Sequence, residues 1–387
     1  MMGPFQVTCV LAAAAFAAAF SISTAFAQQV RGGNQPLPDK PSLGNIGERI
    51  NSNTISIVSG NINATYLSIA YDMSAVLDNG DEFRVLPVIG KGGGQNIRDV
   101  RFLKGIDLGI TQTSLLNTFR RTGELGNIDD KIVYIAKLFN EELHVVVRAE
   151  AGITSLEQLA GKKVNFSDIG SGTQLTTRDI FTRLKIKAEE VNMGQADALE
   201  KLKSGEIAAT VLIAGKPAGA VARIRSDQGF RFLNVPFAKE LHDAYLPALL
   251  TNEDYPGMVG RNEGFETVAV GAVLIAFNWP KGTERYRRIE NFVEHFFPSL
   301  AQFQKPPRHP KWREANLAAV LPGWTRFPAA EDWLKRNRQI EQAPTAAVRD
   351  EFAAFLAVRG KGAADPPDER ERLFQEFLKW SQARERR

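Results

Sequence analysis

Cysteine is almost absent from this sequence of 387 residues, since Cys9 is the only one and lies close to the start. Disulfide frameworks, thiolate metal sites and cysteine nucleophiles are therefore excluded for the rest of the chain. Histidine is scarce too, and the four histidines are far apart in the sequence: His144, His242, His295 and His309. None of them has the spacing of a zinc motif, and no esterase elbow or P-loop is present. We expect no enzyme activity, no metal and no cofactor.

Charge of one sign is not in large excess, because 48 lysines and arginines oppose 44 aspartates and glutamates. The net charge of +4 is spread along the chain without a basic block, so a nucleic-acid partner is not indicated. Beyond residue 27 no apolar run approaches the ~18 residues of a membrane span. The longest such run, 268–277, has a length suited to a buried strand. With 44% hydrophobic residues the chain can bury a sizeable core.

The first 27 residues contain no lysine, arginine, aspartate or glutamate. Residues 10–20 form an apolar run that is short for a membrane span, and Ala25-Phe26-Ala27 has the small-x-small pattern of a cleavage site. Residues 1–27 are therefore predicted to be a signal peptide, and the mature protein to be periplasmic. One departure from the pattern is that the segment before the apolar run has no basic side chain. The alternative is an uncleaved anchor, although such anchors usually have ~20 apolar residues.

The remaining sequence divides by its patterns into five segments. Residues 28–52 are polar and predict a flexible leader. Alternating strands and helices predict a first α/β lobe over 53–143, a second over 144–235 and a return to the first over 236–300. The boundary near 143 rests on two apolar strands, 132–136 and 143–147, that the polar stretch 137–142 separates. Residues 301–387 predict a helical extension on the outside of the fold, with amphipathic helices at 332–340, 349–358 and 368–382.

Small polar turns containing glycine lead from a strand into a helix at three places, residues 59–65, 92–96 and 170–174. Free backbone N–H groups at a helix start attract an anionic group, and glycine lets a ligand approach the backbone. Three such turns from two lobes can converge at one cleft. The alternative is that glycine and serine only cap helices there, as in most α/β proteins.

The same segments resemble a known family. The matching segments occur along the chain in the following order: Ile57-Val58-Ser59-Gly60 with Thr65-Tyr66, Gly92 to Arg98, Gly105 to Gln112, Glu142 to Arg148, Leu159 to Val164, Gly170 to Gln174, Gly205 to Ala209 and Tyr255-Pro256-Gly257. Together they resemble the TRAP-associated extracytoplasmic immunogenic (TAXI) solute-binding proteins over residues 54–300. The resemblance implies a type II periplasmic-binding-protein fold, in which a two-segment hinge joins two α/β lobes around a ligand cleft.

The resemblance also implies site residues and partners. The ligand-binding residues it suggests are Ser59, Gly60, Thr65, Tyr66, Gln95, Asn96, Gln112, Thr113, Ser171, Gly172, Thr173 and Gln174. Lys216 is a candidate counter-charge near the hinge, with an exposed turn lysine as the alternative. The implied ligand is a small organic anion, carboxylate-bearing or similar to an amino acid, which a TRAP-type membrane transporter receives. One departure concerns the first loop, where Ala64 stands in place of a family glycine.

Three other functions remain open at this level. The same cleft suits a ligand-sensing adaptor that presents its closed form to a membrane sensor kinase. Importers of thiamine precursors or sulfonates use binding proteins with this fold, so they compete for the ligand class. An enzyme on this fold, such as a deaminase-like or decarboxylating homologue, is disfavoured because no histidine, cysteine or paired carboxylate lies at a cleft turn.

Cleavage is expected between Ala27 and Gln28, because that bond follows the best-placed small-x-small site after the apolar run. The intact mass of protein recovered from the periplasm measures it directly. A mature chain that still carries Met1 would contradict the prediction.

Overall fold

The structure, a computed structural model, describes residues 43–80, 82–337 and Leu356. The predicted signal peptide lies outside the described residues, as do the predicted helices 349–358 (apart from Leu356) and 368–382. Within the predicted leader, the last ten residues, Leu43–Ser52, form a helix, α1. The end of the predicted leader is therefore helical.

The described strands join into one sheet. They are β1 Thr54–Val58, β2 Arg84–Val88, β3 Leu108–Gln112, β4 Ile132–Arg148, β5 Lys163–Asn165, β6 Glu189–Val191, β7 Ala209–Ala214, β8 Phe230–Phe232, β9 Leu246–Thr251 and β10 Gly264–Phe277. Their main order is β2-β1-β3-β10-β4-β7-β5-β6, with β8 paired to β4 and β9 paired to β10. β1 is parallel to β2 and β3, and β5 is parallel to β6 and β7. Each end of the sheet is thus a parallel unit of the kind that βα repeats build.

Helices fill the connections between these strands. After α1 they are α2 Thr65–Leu77, α3 Gly93–Phe102, α4 Thr113–Thr122, α5 Gly172–Arg183, α6 Gln195–Ser204, α7 Glu284–Phe296, α8 Leu300–Phe303 and α9 Pro328–Arg336. A 3-10 helix, Pro310–Glu314, precedes α9. Apolar residues at helical spacing in α7, including Tyr286, Ile289 and Val293, are buried as the sequence predicts.

Two long antiparallel strands, β4 and β10, run through both halves of the sheet. β10 pairs with β3 over Ala272 to Ala276 and with β9 over Gly264 to Ala269. β4 pairs with β10 over its first half and with β7 from Glu142 onward. The two apolar strands predicted at 132–136 and 143–147 are therefore one continuous strand. β4 and β10 form the two-segment hinge.

The described residues pack into two α/β lobes on either side of this crossing. The first lobe has its core around Ile57, Ile110 and Phe292. The second has its core around Val145, and residues between 241 and 270, such as Tyr245, pack in it as well. The predicted return to the first lobe at residue 236 is thus displaced to about residue 271 in β10, because β9 pairs with the second-lobe half of β10.

Residues 301–337 belong to the core of the first lobe, which corrects their prediction as an outer extension. Trp312 is fully buried, stacks on Phe303 and donates from Nε1 to Asp72 Oδ2 at 2.9 Å. The same segment covers the edge of β4, where Phe327 N donates to Tyr134 O at 2.8 Å. Trp333, which lies in the predicted helix 332–340, is buried against the first-lobe core as well.

This architecture is the type II periplasmic-binding-protein fold that the family resemblance implied: two α/β lobes, two crossing strands and a cleft between the lobes. Within the part of the chain that the structure describes, no helix is long and apolar enough to cross a membrane.

Replacing Trp312 by alanine is expected to lower the free energy of unfolding by ~3–5 kcal/mol, since it removes a buried ring and one of the hydrogen-bond donors to Asp72. Urea unfolding followed by circular dichroism measures the loss. Phe102→Ala serves as the control, because Phe102 is 62% exposed and its truncation should change stability by less than about 0.5 kcal/mol. Equal losses in the two variants would show that residues 301–337 do not support the lobe.

Candidate functional site

A cavity of about 250 Å³ lies between the two lobes. Its walls are the starts of four helices, α2 and α3 from the first lobe and α5 and α6 from the second. The residues that line it are Gly60, Asn61, Ile62, Asn63, Ala64, Thr65, Tyr66, Lys91, Gly92, Gly93, Gln112, Glu141, Ser167, Ser171, Gly172, Thr173, Gly194, Gln195, Ala196, Leu212, Ile213, Ala214 and Ala220. The first-turn N–H groups of an α-helix have no acceptor within the helix, so they are available here.

Three of these helices begin after a residue without a polar side chain. The N-cap residues are Ala64 for α2, Gly92 for α3 and Gly194 for α6. Such residues cannot accept a hydrogen bond from the first turn, which leaves the N–H groups facing the cavity. The fourth helix, α5, is capped by Ser171, whose Oγ accepts from Gln174 N at 3.1 Å. The family departure at Ala64 therefore leaves the helix start open.

Seven of the thirteen predicted ligand-binding residues line this cavity. They are Gly60, Thr65, Tyr66, Gln112, Ser171, Gly172 and Thr173. Thr173 Oγ1 accepts from the backbone N–H of Ile213 at 3.1 Å, which leaves its own hydroxyl hydrogen for another acceptor. The structure brings together the first-loop and second-lobe turns that the sequence singled out.

Ser59 and Asn96 do not line the cavity but hold its first-lobe wall together. Ser59 Oγ donates to Val88 O at 2.8 Å, which joins β1 to β2. Asn96 Nδ2 donates to Ser59 O at 2.9 Å and to Ile110 O at 2.7 Å, which ties the ends of β1 and β3 to α3. Both are buried, and their contacts give them a positioning role.

The other four predicted residues are also engaged away from the cavity lining. Gln95 Oε1 accepts from Lys91 N at 3.0 Å, and Gln174 Nε2 donates to Glu190 at 2.7 Å. Thr113 is the first residue of α4. Lys216 Nζ donates to Asp254 Oδ2 at 3.0 Å and to Leu249 O at 2.8 Å, so its charge is paired within the second lobe.

The two lobes touch each other directly at the rim of the cavity. Thr65 Oγ1 of the first lobe donates to Gly215 O of the second at 3.1 Å. Thr176 Oγ1 of α5 donates to Gln112 Oε1 of β3, also at 3.1 Å. A Cβ placed on Gly93 would lie 2.3 Å from the Cα of Gly172, so these two helix starts are in backbone contact. The cleft is closed in this structure.

Glu141 is the functional candidate that the sequence analysis missed. It lies in the middle of β4, is 4% exposed and lines the cavity. Tyr66 Oη donates to its Oε2 at 2.5 Å, and the Gln112 amide also interacts with it. Burial raises the pKa of Glu141 to about 8. The polar stretch 137–142 between two apolar segments was the signal that could have found it.

The neighbouring Glu142 faces a different set of partners. Lys311 Nζ lies 2.6 Å from both Glu142 Oε1 and Glu314 Oε1, and all three side chains are largely buried. Burial raises the pKa of Glu142 to about 7. Burial alone would lower the pKa of Lys311, but the two carboxylates raise it on balance. The ion cluster fixes the 3-10 helix to the point where β4 passes between the lobes.

The cavity therefore offers backbone N–H groups, hydroxyls, one buried carboxyl group and the exposed Lys91. These are groups that bind and orient a small polar molecule. Among residues 43–80 and 82–337 no group of three histidine, aspartate or glutamate side chains is placed to hold a metal ion.

Comparison with known protein families gives one match, which covers residues 57–279, more than half of the chain. The matching family is described as the NMT1-like family. The match begins in β1 and ends just after β10, so it includes the four helix starts and Glu141.

Solved structures similar to this chain include periplasmic proteins. One, described as a periplasmic transporter, is 15% identical with a TM-score of 0.46, over 74% of this chain and 93% of that one. The aliphatic sulphonate binding protein SsuA from Escherichia coli is 14% identical with a TM-score of 0.39, over 84% and 83%. A structure described as holo ArgBP from T. maritima is 14% identical with a TM-score of 0.39, over 67% of this chain and 95% of that one. Similarity this distant carries no information about the ligand.

Replacing Gly93 by alanine is expected to prevent the closed arrangement, because its Cβ would overlap Gly172. Small-angle scattering should then give a larger radius of gyration than for the wild type. Gly123→Ala is a matched control: Gly123 also has a positive φ, +65° against +48°, but its Cβ would meet no described atom within 4 Å. Both variants should lose ~1–2 kcal/mol of stability from backbone strain. Identical scattering from the two variants would contradict this account of closure.

Proposed function

The chain belongs to the NMT1-like family, and we propose that it is a non-catalytic solute-binding receptor that captures a small organic anion between its lobes. The observation that carries the proposal is the convergence of four helix starts on one closed cavity. Each helix start has a positive partial charge and unsatisfied N–H groups, so a carboxylate there gains hydrogen bonds without a buried cation.

The volume and the rim contacts support a small ligand that is enclosed. A cavity of about 250 Å³ is below the size typical of sites for drug-sized molecules. Thr65, Gln112 and Gly93 contact the other lobe, so separation of the lobes would widen the entrance for a solute. Closing around the solute would then bring both pairs of helix starts onto it.

Delivery to a TRAP-type membrane transporter is the further part of this proposal. It rests on the ordered TAXI-like motifs of residues 54–300 and on the predicted signal peptide, which would place the mature protein in the periplasm. A sensor kinase as the receiving partner would use the same closed form. The neighbouring genes discriminate, because a large fused transporter membrane subunit favours transport and a kinase favours sensing.

Carboxylates are expected to raise the melting temperature in a thermal-shift screen. The panel contains pyruvate, succinate, L-glutamate, methanesulfonate and, as an uncharged comparison, glycerol. A compound present at 100 times its Kd should add about 2.7 kcal/mol of stability. Stabilisation by methanesulfonate alone would indicate a sulfonate receptor, and stabilisation by glycerol alone would overturn the anion proposal.

Thr173→Val is expected to weaken binding of the stabilising anion about tenfold to a hundredfold, since it removes a hydrogen-bond donor from the cavity. It should also lower stability by ~1–3 kcal/mol, because Ile213 N–H loses its acceptor. Calorimetry measures the affinity.

Two variants control for this loss. Thr173→Ser keeps the hydroxyl and should keep most of the affinity. Thr177→Val, one turn later in α5, removes a buried hydroxyl without a partner among the described residues and should leave the affinity unchanged. If Thr173→Val binds as well as these controls, Thr173 does not contact the anion.

A further inference from the structure

Glu141 is the acidic side chain that lines the cavity, and a negative charge on it would conflict with the rest of the lining. The four helix starts and Lys91 all favour negative charge in the cavity. A carboxylate at Glu141 would repel the anion that they attract. Within the described part of the chain no lysine, arginine or histidine forms a direct ion pair with Glu141.

Glu141 has two hydrogen-bond partners, the Tyr66 hydroxyl and the Gln112 side-chain amide. Tyr66 Oη donates to Oε2 at 2.5 Å. A tyrosine hydroxyl can donate equally to a carboxylate and to the carbonyl oxygen of a neutral carboxyl group. A proton on the other oxygen, Oε1, does not compete with the Tyr66 hydroxyl, and Glu141 lines the cavity in which that proton can be donated.

We propose that Glu141 holds a proton in the closed cavity and donates it in a hydrogen bond to an oxygen of the captured carboxylate. The inference rests on the proposed function, and it makes capture dependent on that proton. Glu141 therefore sets specificity: the site takes an oxyanion that accepts a hydrogen bond, and it does not require an ammonium group on the solute.

The charged and titratable groups around Glu141 are compatible with a neutral carboxyl group. Tyr66, from α2, donates to it. Glu142, next in β4, disfavours a second negative charge. Lys311, from the 3-10 helix, favours the ionised form but has both Glu142 and Glu314 as partners at 2.6 Å. Lys91 lines the cavity and is exposed to solvent.

The direction of the pH effect follows from these contacts. The pKa of Glu141 is raised to about 8 by burial, so the neutral form predominates at pH 7 and is lost as the pH rises through that value. The affinity for a carboxylate should thus be constant below pH 7 and decrease about tenfold between pH 7 and pH 9. Binding at pH 9 should take up close to one proton from solution.

The experiment titrates pyruvate, succinate and L-glutamate into the wild-type protein and into Glu141→Gln at pH 6, 7, 8 and 9. Calorimetry in buffers of different ionisation enthalpy gives the proton uptake. Glutamine keeps a hydrogen-bond donor but cannot ionise, so the variant should bind with a Kd that does not change with pH and should take up no proton. Glu82→Gln, an exposed acid remote from the cavity, should behave as the wild type does.

The opposite pattern would overturn the inference. If Glu141→Gln abolishes binding while the wild type binds equally or more tightly at pH 9, then Glu141 is ionised and pairs with a cation of the solute. A proton uptake that persists in Glu141→Gln would assign the proton to another group.

A direct titration separates this inference from the proposed function. Carbon-13 NMR of glutamate carboxyl groups in the protein without solute should show a signal with a pKa near 8 that Glu141→Gln lacks. A Glu141 signal that titrates near 4.5 would overturn the inference even if carboxylates bind. Conversely, a pKa near 8 for Glu141 with no binding of any probe would support a protonated Glu141 and contradict only the anion-receptor function.

Discussion

Two adjacent carboxyl groups, those of Glu141 and Glu142, are buried where β4 passes from one lobe to the other, and the surrounding structure is arranged around them. Because successive side chains of a strand face opposite ways, one meets the cavity and the other meets the 3-10 helix. Glu142 is neutralised by Lys311, while Glu314 joins Lys311 and also accepts the backbone N–H of Asn140 at 2.8 Å. Removing one member of such a cluster leaves an uncompensated buried charge.

The same crossing explains where the sequence predicted structure well and where it failed. Apolar runs predict strands in both halves of β4, and both exist. The interruption at 137–142 reads as a loop because polar residues are usually exposed, yet Asn140, Glu141 and Glu142 are buried here. Local rules fail at this point since the polar groups are satisfied by residues distant in sequence, such as Lys311, 169 positions from Glu142. Functional sites are where such conflicts are expected.

The candidate site divides in a similar way. Helix starts are local features, so the turns at 59–65, 92–96 and 170–174 were predictable one by one. Their convergence depends on how the lobes close, and the fourth start, at Gly194, has no serine or threonine in its turn. Residue type alone also does not distinguish the residues that line the cavity from those that hold its wall together. Thr173 lines the cavity, whereas Asn96 donates only to backbone carbonyl groups of β1, β3 and the turn after β1.

The crossing strands also determine the order in which the two lobes can be completed. Glu142 and Ala269 are paired neighbours on β4 and β10, so the second lobe is one uninterrupted stretch of chain whose two ends meet. The first lobe, in contrast, needs the later half of β10, then α7, and then the segment that contains Trp312. Because the chain is synthesised from its N-terminus, all the strands of the second lobe are made before those of the first lobe are complete. The lobe that begins first along the chain is therefore the last to be finished.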